Sequence, residues 1–307
     1  MSNQRAGFIE RAQCINCGSE HLSELSSGRF SDEPLLGYIK NDPWGESPIP
    51  YVQHETWEFV ECNSCQQKYH KRILSPEWIE KCYSEWVTQE AMEAFLTNIN
   101  TPANNFKKAQ QNVLHILRLE KLTRRLRKDD VLRVLDFGCG WGDFLALCDN
   151  FGFRSCGIDF SPDRRQQGRV HIFPNKEDLK SSQDGEQPFH VITMFEVLEH
   201  LANPSEVLQS LSELLMPGGI LILETPDCTG VTDIVSDWDY RKIHPLSHIN
   251  GFTPNTLRSI AERVGFKSIE PSVAHVTSEP LKVIKTEIKR IIRPLLKGTT
   301  QQYFLKI

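Results

Sequence analysis

Four cysteines occur as two C-x-x-C pairs, Cys14 with Cys17 and Cys62 with Cys65. Two thiolates separated by two residues can face one ion from a tight turn, and a second such turn completes the four-sulfur tetrahedral shell of structural Zn²⁺ sites. The 44 residues between the pairs exceed the spacing of a compact ribbon, so we expect an inserted hairpin or a substrate-facing excursion, with TWEFVEC before the second pair as a strand. The pattern predicts a structural zinc site in a small N-terminal domain.

A glycine-rich turn follows a short apolar run in the segment VLRVLDFGCGWGDFL, which begins at Val131. Gly138 and Gly140 allow the backbone to turn tightly and to approach a ligand without an intervening Cβ. Asp159 ends a second apolar run about 20 residues later, where an acid accepts hydrogen bonds from ribose hydroxyls. The glycine spacing alone is a weak signal, but the turn and the acid together predict a nucleotide-type cofactor.

Titratable side chains gather in two later segments, FEVLEHL and YRKIHPLSHINGFT. Glu196, Glu199 and His200 are three and four residues apart, which predicts that they share one face of a helical turn at the carboxyl end of a strand. His200 and His248 are the preferred general bases, because the pKa of an imidazole lies near neutral. His244 is a second choice.

Alternating strands and helices are needed to position these groups, and the hydrophobic pattern predicts them. A long amphipathic helix is expected over 104–127. Strands are expected near 131–137, 154–159, 170–173, 190–195, 219–224, 266–276 and 301–307. Helices are expected near 142–151, 162–168, 205–215 and 254–264.

The chain from Asn104 onward resembles the class I methyltransferases that use S-adenosylmethionine. LDFGCGWG matches the first motif of that family, GIDFSP the second, FHVITMFEVLEHL the fourth, and LLMPGGILILETP the helix, turn and strand that follow. The resemblance implies an α/β fold with a Rossmann-like, seven-stranded sheet, whose antiparallel last strand is QQYFLKI. It also implies S-adenosylmethionine as the cofactor, with contacts from Asp136, Gly138, Gly140, Asp159, Phe160 and Phe195.

The E-V-L-E-H pattern, followed by a histidine just before F-T, resembles the ubiquinone-biosynthesis O-methyltransferases and the small-RNA 2′-O-methyltransferases. In those families the matching acids and histidines bind a divalent ion that holds an acceptor oxygen. Carried over residue by residue, the resemblance implies Glu196, Glu199, His200 and His248 as ligands of a second divalent ion. A metal-free pocket, in which these side chains bind substrate or move a proton, also fits the residue types.

The cysteine pairs joined to this kind of catalytic domain also resemble bacterial methyltransferases of nucleotide-linked sugars and surface glycans. We therefore expect a methyltransferase that acts, through oxygen, on a hydroxylated small molecule such as a sugar or another biosynthetic intermediate. Two alternatives stay open: 2′-O-methylation of RNA, and a non-catalytic zinc-ribbon protein that binds or scaffolds a partner.

Composition favours a soluble cytoplasmic enzyme, because 39% of the 307 residues are hydrophobic and no apolar run approaches the length of a membrane span. The N-terminus also lacks the apolar core of a signal peptide. A net charge of −5 argues against broad affinity for nucleic acid.

Three regions are expected along the chain. Residues 1–80 form a zinc-ribbon-like domain, 81–128 a helical cap or linker, and 129–307 the methyltransferase domain. Within the last, 281–296 carries apolar residues on one helical face and basic residues elsewhere. This pattern is typical of a helix that packs on its own domain or a partner subunit, or that lies on a membrane surface, and these alternatives stay open.

Overall fold

Two compact units alternate along the chain in the computed structural model, which describes residues 5–99, 101–123, 131–167, 170–270, 284, 288 and 299–307. The cysteine unit contains the described residues of Met1–Thr101, Leu198–Val207 and Cys228–Arg263. The sheet unit contains those of Pro102–Val197, Leu208–Asp227 and Val264–Ile307. Domain boundaries at residues 80 and 128 stay a prediction.

Extended segments of the described chain form thirteen strands. In chain order they are β1 (Phe8–Glu10), β2 (Leu22–Arg29), β3 (Thr56–Cys62), β4 (Lys68–His70), β5 (Arg72–Leu74), β6 (Arg133–Phe137), β7 (Arg154–Ile158), β8 (Ile172–Phe173), β9 (Phe189–Phe195), β10 (Leu215–Pro226), β11 (Asn250–Gly251), β12 (Phe266–Ile269) and β13 (Thr299–Lys306).

Helices join most of these strands. In the described residues they are α1 (Leu35–Asn41), α2 (Ile49–Val52), α3 (Pro76–Lys81), α4 (Gln89–Ile99), α5 (Pro102–Thr123), α6 (Asp143–Asn150), α7 (Pro162–Gln167), α8 (Lys176–Lys180), α9 (Pro204–Ser212), α10 (Asp237–Tyr240) and α11 (Pro254–Arg263). A π-helical turn spans Cys82–Trp86, and 3₁₀ turns span Gln183–Gly185 and Leu198–His200.

The seven strands of the sheet unit lie in the order β12-β13-β10-β9-β6-β7-β8. Strands β10, β9, β6, β7 and β8 are parallel, whereas β13 runs antiparallel to both β10 and β12. All five residues of β6 are buried, as expected for a parallel strand covered on both faces. The predicted α/β class and the antiparallel last strand are confirmed.

One hydrophobic core of the sheet unit includes one side of α5. Ile116 and Leu119 of that helix are fully buried, together with Leu145, Val191 and Ile222 from the strands and the helix after the glycine turn. A Leu side chain buried in this way contributes about 1.5–3 kcal/mol to folding. This core places the carboxyl end of β6, where the glycine turn begins, on a rigid support.

The cysteine unit contains a four-stranded antiparallel sheet in the order β11-β4-β3-β2 and a two-stranded ribbon of β1 and β5. TWEFVEC forms the expected strand, β3, which pairs antiparallel with β2, and the connection between these two strands contains α1 and α2. The core of this unit also takes in residues from the 228–246 segment, including Tyr240 and Ile243. Because β11 pairs with β4, the chain just after His248 joins the sheet that follows the second cysteine pair.

No helix in the described part of the chain is long and apolar enough to cross a membrane. The predicted basic helix at 281–296 lies outside the described residues, apart from Ile284 and Ile288. The predicted strand over 266–276 is described only as far as residue 270, and it appears as β12.

Candidate functional site

The four cysteines of the two C-x-x-C pairs come together in the cysteine unit, with their sulfur atoms all within 4.8 Å of one another. The Sγ atoms of Cys14 and Cys65 are 3.5 Å apart, as are those of Cys17 and Cys62. A disulfide requires about 2.05 Å, so these are not bonded pairs. Four sulfurs placed about 2.3 Å from a central ion lie about 3.8 Å apart, so the cysteines fit a tetrahedral zinc ion.

Backbone N–H groups already point at two of these sulfurs. The N–H of Asn16 donates to Cys14 Sγ at 3.5 Å. Burial opposes ionisation of Cys62, but hydrogen bonds from the N–H groups of Ser64 and Cys65 lower the pKa of its thiol to about 7. Burial raises the pKa of Cys14 to about 11 and raises that of Cys65 as well, so among these three cysteines only Cys62 is shifted toward the thiolate that binds a metal.

The glycine turn of the sheet unit has a backbone that other residues rarely adopt. Gly138 has a φ of +77°, and a Cβ on it would lie 2.3 Å from Cγ2 of Val197. Gly140 has a φ of +58°, and its N–H donates to Oδ2 of Asp159 at 2.9 Å. The side chain of Asp159 thus links the end of β7 to the turn after β6.

Asp159 is buried, and it accepts a second hydrogen bond from the N–H of Ser161 at 2.9 Å. Arg164 lies 3.3 Å from the same carboxylate. The structure places this acid beside the glycine turn, as the sequence predicts. Contact of its carboxylate with ribose hydroxyls stays a prediction.

Asp136 lies within β6, two residues before the turn, and is 4% exposed. Burial, with a smaller contribution from Asp159, raises the pKa of Asp136 to about 7, although a 2.6 Å hydrogen bond from Thr193 Oγ1 opposes the shift. The carboxyl group is therefore poised between its neutral and charged forms near neutral pH.

The two aromatic residues predicted to contact the cofactor differ in their surroundings. Phe160 is 64% exposed and meets the ring of Phe137 edge-on. Phe195 is part-buried, stacks on His115 with ring centroids 5.0 Å apart, and meets Phe144 edge-on. Phe160 is therefore the more accessible of the two for an adenine ring, and contact of either with cofactor stays a prediction.

The predicted helical face shared by Glu196, Glu199 and His200 is wrong. Glu196 has a φ of +55°, in the left-handed region, and its N–H donates to the carbonyl of Glu224 at 2.8 Å in the sheet unit. The 3₁₀ turn that carries Glu199 and His200 begins only at Leu198, within the cysteine unit. The left-handed residue ends the extended run of β9, so the three side chains do not follow helical spacing.

Glu199, His200 and His248 form a cluster in which one ligand atom of each lies within 4.8 Å of the others. The carboxylate of Glu199 is fully buried, and its Oε1 lies 4.0 Å from His200 Nε2. The two imidazole rings meet edge to face, with centroids 4.7 Å apart. Desolvation and the neighbouring His200 hold the pKa of His248 well below its ordinary value. Three of the four residues implied as divalent-ion ligands thus come together in one unit.

The tautomer of His200 follows from its neighbours. Nδ1 lies 3.0 Å from the carbonyl oxygen of Ser247, which can only accept a hydrogen bond. The hydroxyls of Ser247 and Tyr83 are each 3.2 Å from the same nitrogen. The proton of a neutral ring therefore belongs on Nδ1, so Nε2 is the nitrogen that can accept a proton or bind a metal ion.

Sequence reasoning did not single out Tyr83 or Ser247. Tyr83 lies in the π-helical turn after α3. A turn of this kind often marks a functional position, but its presence is not visible in the residue pattern. Ser247 contacts His200 mainly through its carbonyl group, which every residue type carries.

His244, the second-choice base, is held in a buried polar network instead. Its Nε2 lies 2.6 Å from the hydroxyl of Tyr240 and 3.2 Å from the carboxylate of Asp42, to which Tyr240 also donates. Burial raises the pKa of Asp42, but the contacts with His244 and Tyr240 outweigh it and keep the pKa low. The N–H of Leu246 donates to Nδ1, so both ring nitrogens are engaged and a structural role for His244 is favoured.

A family model described as a methyltransferase domain matches residues 105–270, which is more than half of the chain. Among curated relatives, a ubiquinone biosynthesis O-methyltransferase of Xanthomonas euvesicatoria pv. vesicatoria (strain 85-10) is 34% identical over 128 residues, covering 38% of this chain and 52% of the relative. One of Leptothrix cholodnii (strain ATCC 51168 / LMG 8142 / SP-6) is 29% identical over 133 residues, covering 40% and 56%. The chain spans about half the length of these relatives.

Among solved structures, the plantazolicin methyltransferase BamL, in complex with a triazolic desmethylPZN analogue and SAH, superimposes with a TM-score of 0.51. The alignment covers 75% of this chain and 94% of BamL at 12% identity, which bears on the fold alone. Strand order, the glycine turn with its acid, and the family match agree. The chain belongs to the class I S-adenosylmethionine-dependent methyltransferases.

Proposed function

We propose that this protein transfers the methyl group of S-adenosylmethionine to a hydroxyl oxygen of a small molecule, such as a sugar or another biosynthetic intermediate. The observation that carries the proposal is the cluster of Glu199, His200 and His248, in which Nε2 of His200 lies 4.0 Å from the buried carboxylate of Glu199. The cluster lies in the cysteine unit, and Glu199 follows the end of β9 by four residues in the chain. Two relatives named as O-methyltransferases support oxygen as the acceptor atom.

His200 is the proposed general base. A sulfonium methyl is a strong electrophile, so the protein has to align the acceptor oxygen and remove its proton as the O–CH₃ bond forms and the S–CH₃ bond breaks. Nε2 of His200 takes that proton while Nδ1–H points at the carbonyl of Ser247. The resulting imidazolium is stabilised by the nearby carboxylate of Glu199.

The same three side chains fit a divalent cation. One carboxylate and two imidazoles within 4.8 Å of one another suit Mn²⁺ or Zn²⁺, and Mg²⁺ when water completes its shell. A bound cation would act as a Lewis acid that orients and polarises the acceptor oxygen. Activity that is lost on chelation and restored by Mg²⁺ or Mn²⁺ supports this version. Activity that survives chelation leaves His200 as a metal-free base.

Zinc at the four cysteines has to be followed in the same experiment, because its loss would disturb the cysteine unit. We expect one zinc per chain by metal analysis after gel filtration. A Cys62→Ser, Cys65→Ser double variant should contain none, since a closed site needs four ligands. Zinc retained in that variant would contradict the assignment.

Tritium transfer from labelled cofactor tests the acceptor class directly. Nucleotide sugars, phenols and short RNAs are offered in parallel, with the His200→Ala variant as the matched control. The proposal expects label in a hydroxylated small molecule and far less with the variant. Label found only in RNA would contradict the small-molecule proposal and favour an RNA methyltransferase. Cofactor binding without transfer to any of these acceptors would favour a non-catalytic scaffold protein.

A further inference from the structure

A buried arginine connects the first cysteine pair to the two segments that carry the cluster. Arg11 stands three residues before Cys14 and is 9% exposed. Its Nη2 donates to the carbonyl oxygens of His70 at 2.6 Å and Ile249 at 2.8 Å, and its Nε also donates to His70 at 3.1 Å. Because Ile249 directly follows His248, the guanidinium holds the backbone next to one cluster residue.

The same guanidinium reaches the other segment in two ways. Its Nη1 donates to Oδ1 of Asn250 at 2.7 Å and to the carbonyl of Ala202 at 3.2 Å. The amide nitrogen of Asn250 in turn donates to the carbonyls of Leu198 at 3.0 Å and Leu201 at 2.7 Å. These two carbonyls flank Glu199 and His200, so Arg11 and Asn250 together fix the 3₁₀ turn that presents them.

The cysteine loop itself makes a second connection. Ile15 lies between Cys14 and Cys17, and its carbonyl accepts a hydrogen bond from Ser205 Oγ at 2.8 Å. Ser205 lies in the first turn of α9, five residues after His200. Both links originate in residues 11–17, the segment that contains the first cysteine pair.

We propose that the cysteine site positions the Glu199–His200–His248 cluster, with Arg11 as the positioning residue. The catalytic meaning of this coupling rests on the proposed function, whereas the coupling itself does not. A buried guanidinium satisfies several carbonyl oxygens at once, and its removal leaves these oxygens without a donor in a buried place. The segments at 198–202 and 247–251 then loosen, and the imidazoles lose their fixed geometry.

Hydrogen exchange on the full-length, zinc-containing protein tests this link. Arg11→Gln is compared with Arg72→Gln, which removes an arginine paired with Glu55 in the same unit. We expect Arg11→Gln to keep one zinc per chain while amide exchange at 198–202 and 247–251 accelerates at least tenfold. The Arg72→Gln control leaves both segments unchanged. Exchange in Arg11→Gln equal to that of the wild type, with zinc retained, overturns the proposal.

Arg11→Lys covers the case in which the glutamine variant does not fold. Lysine keeps the charge but lacks the planar fork that reaches several acceptors, so faster exchange in both segments is expected here as well. Unchanged exchange in a folded Arg11→Lys protein counts against the link.

Zinc removal gives an independent readout through the imidazole ¹⁵N signals of His200 and His248. We expect both signals to shift or broaden when zinc is dialysed out against chelator and to recover on addition of zinc chloride, whereas the Cys62→Ser, Cys65→Ser variant, in which zinc can bind only at the cluster, should show neither response. Signals unaffected by zinc overturn the coupling. If the signals respond while His200→Ala keeps full activity, the positioning stands and the proposed catalytic role of the cluster fails.

Discussion

The glycine turn and the titratable cluster are built in opposite ways. The turn and its acid come from one stretch, residues 138–159, and the N–H of Gly140 bonds directly to Asp159. The cluster brings Glu199 and His200 together with His248, and it depends on Ser247, Tyr83 and the Arg11–Asn250 link. The first is a local feature of strand, turn and strand. The second exists only once distant segments have packed, so the two should respond differently to substitution.

The largest effect on turnover is expected from loss of the proposed base, His200. This substitution also tests most directly whether the cluster acts separately from the glycine turn. His200→Ala should reduce turnover roughly 10²- to 10⁴-fold, because a positioned base contributes about that much. Cofactor affinity, measured by calorimetric titration, should stay nearly unchanged, since the base acts on the acceptor. His54→Ala, at an exposed position of the cysteine unit, is the matched control. Full activity in both His200→Ala and His248→Ala would redirect the search to Glu196, Tyr240 and His244.

The second prediction concerns the region of the glycine turn: the free energy of unfolding should depend on pH because Asp136 is buried in β6. Its pKa is about 7 in the folded protein and about 3.9 in an unfolded chain. Below pH 4 the carboxyl is protonated in both states and contributes no penalty. Between pH 4 and pH 7 the carboxyl of Asp136 ionises in the unfolded chain but stays mostly protonated in the folded protein. The free energy of unfolding therefore falls by up to about 1.4 kcal/mol per pH unit.

Asp136→Asn removes this dependence, because an amide does not titrate. In urea unfolding without cofactor, the wild type should lose stability relative to the variant between pH 4 and pH 7, and the difference should level off above pH 7. Parallel stability curves for the two proteins would show that Asp136 ionises normally in the fold. Zinc content has to be equal in both proteins for the comparison to hold.

The same contrast decides how much could be predicted from the sequence. Strands β6, β7, β9 and β13, the glycine turn and the cysteine site follow from residue patterns, because each depends on neighbours in the chain or on repeated spacing. On α5 the fully buried apolar residues are Ile116 and Leu119, although Val113, Leu114 and Leu117 of the same stretch are also apolar. Apolar side chains occur almost all round this part of the helix, so periodicity alone cannot fix which face is buried.

The contacts around the Glu199–His200–His248 cluster cannot be predicted from the sequence, for a different reason. The spacing in E-V-L-E-H favours a helical turn, but Glu196 takes a left-handed conformation that is energetically costly for a non-glycine residue. Tyr83 and Arg11 reach the cluster only through the tertiary fold. Residue spacing carries information about one element, and contacts among distant elements require the packed structure.

A smaller effect is expected at the acid beside the glycine turn. Asp159→Ala removes the acceptor that holds the N–H of Gly140 and, by resemblance, two ribose hydroxyls. Hydrogen bonds to a charged group are worth about 1.5–3 kcal/mol, so affinity for S-adenosylmethionine should fall at least tenfold. Asp149→Ala, which removes an acidic partner of Ser155 in the same unit, is the control. Unchanged affinity in calorimetry would rule out the predicted cofactor contact of Asp159.

The smallest effect on turnover is predicted for Tyr83→Phe, which tests one of the contacts that hold His200 in the cluster. The hydroxyl is one of three oxygens around Nδ1 of His200, and the carbonyl of Ser247 remains when it is lost. Removing one neutral hydrogen bond costs about 0.5–1.5 kcal/mol, so turnover should fall roughly two- to tenfold while cofactor affinity stays constant.

Tyr51→Phe is the matched control, because it removes a tyrosine hydroxyl that bonds to Glu46 in the same unit. The pH–rate profile separates positioning of His200 from a general loss of stability. The Tyr83 oxygen stabilises the protonated ring, so its removal should move the acidic limb of the profile, along which the base loses its proton and activity rises, to lower pH if His200 is the base. An unmoved profile with reduced turnover would instead assign Tyr83 to binding of the acceptor, since such a contact changes the rate without changing the protonation of His200.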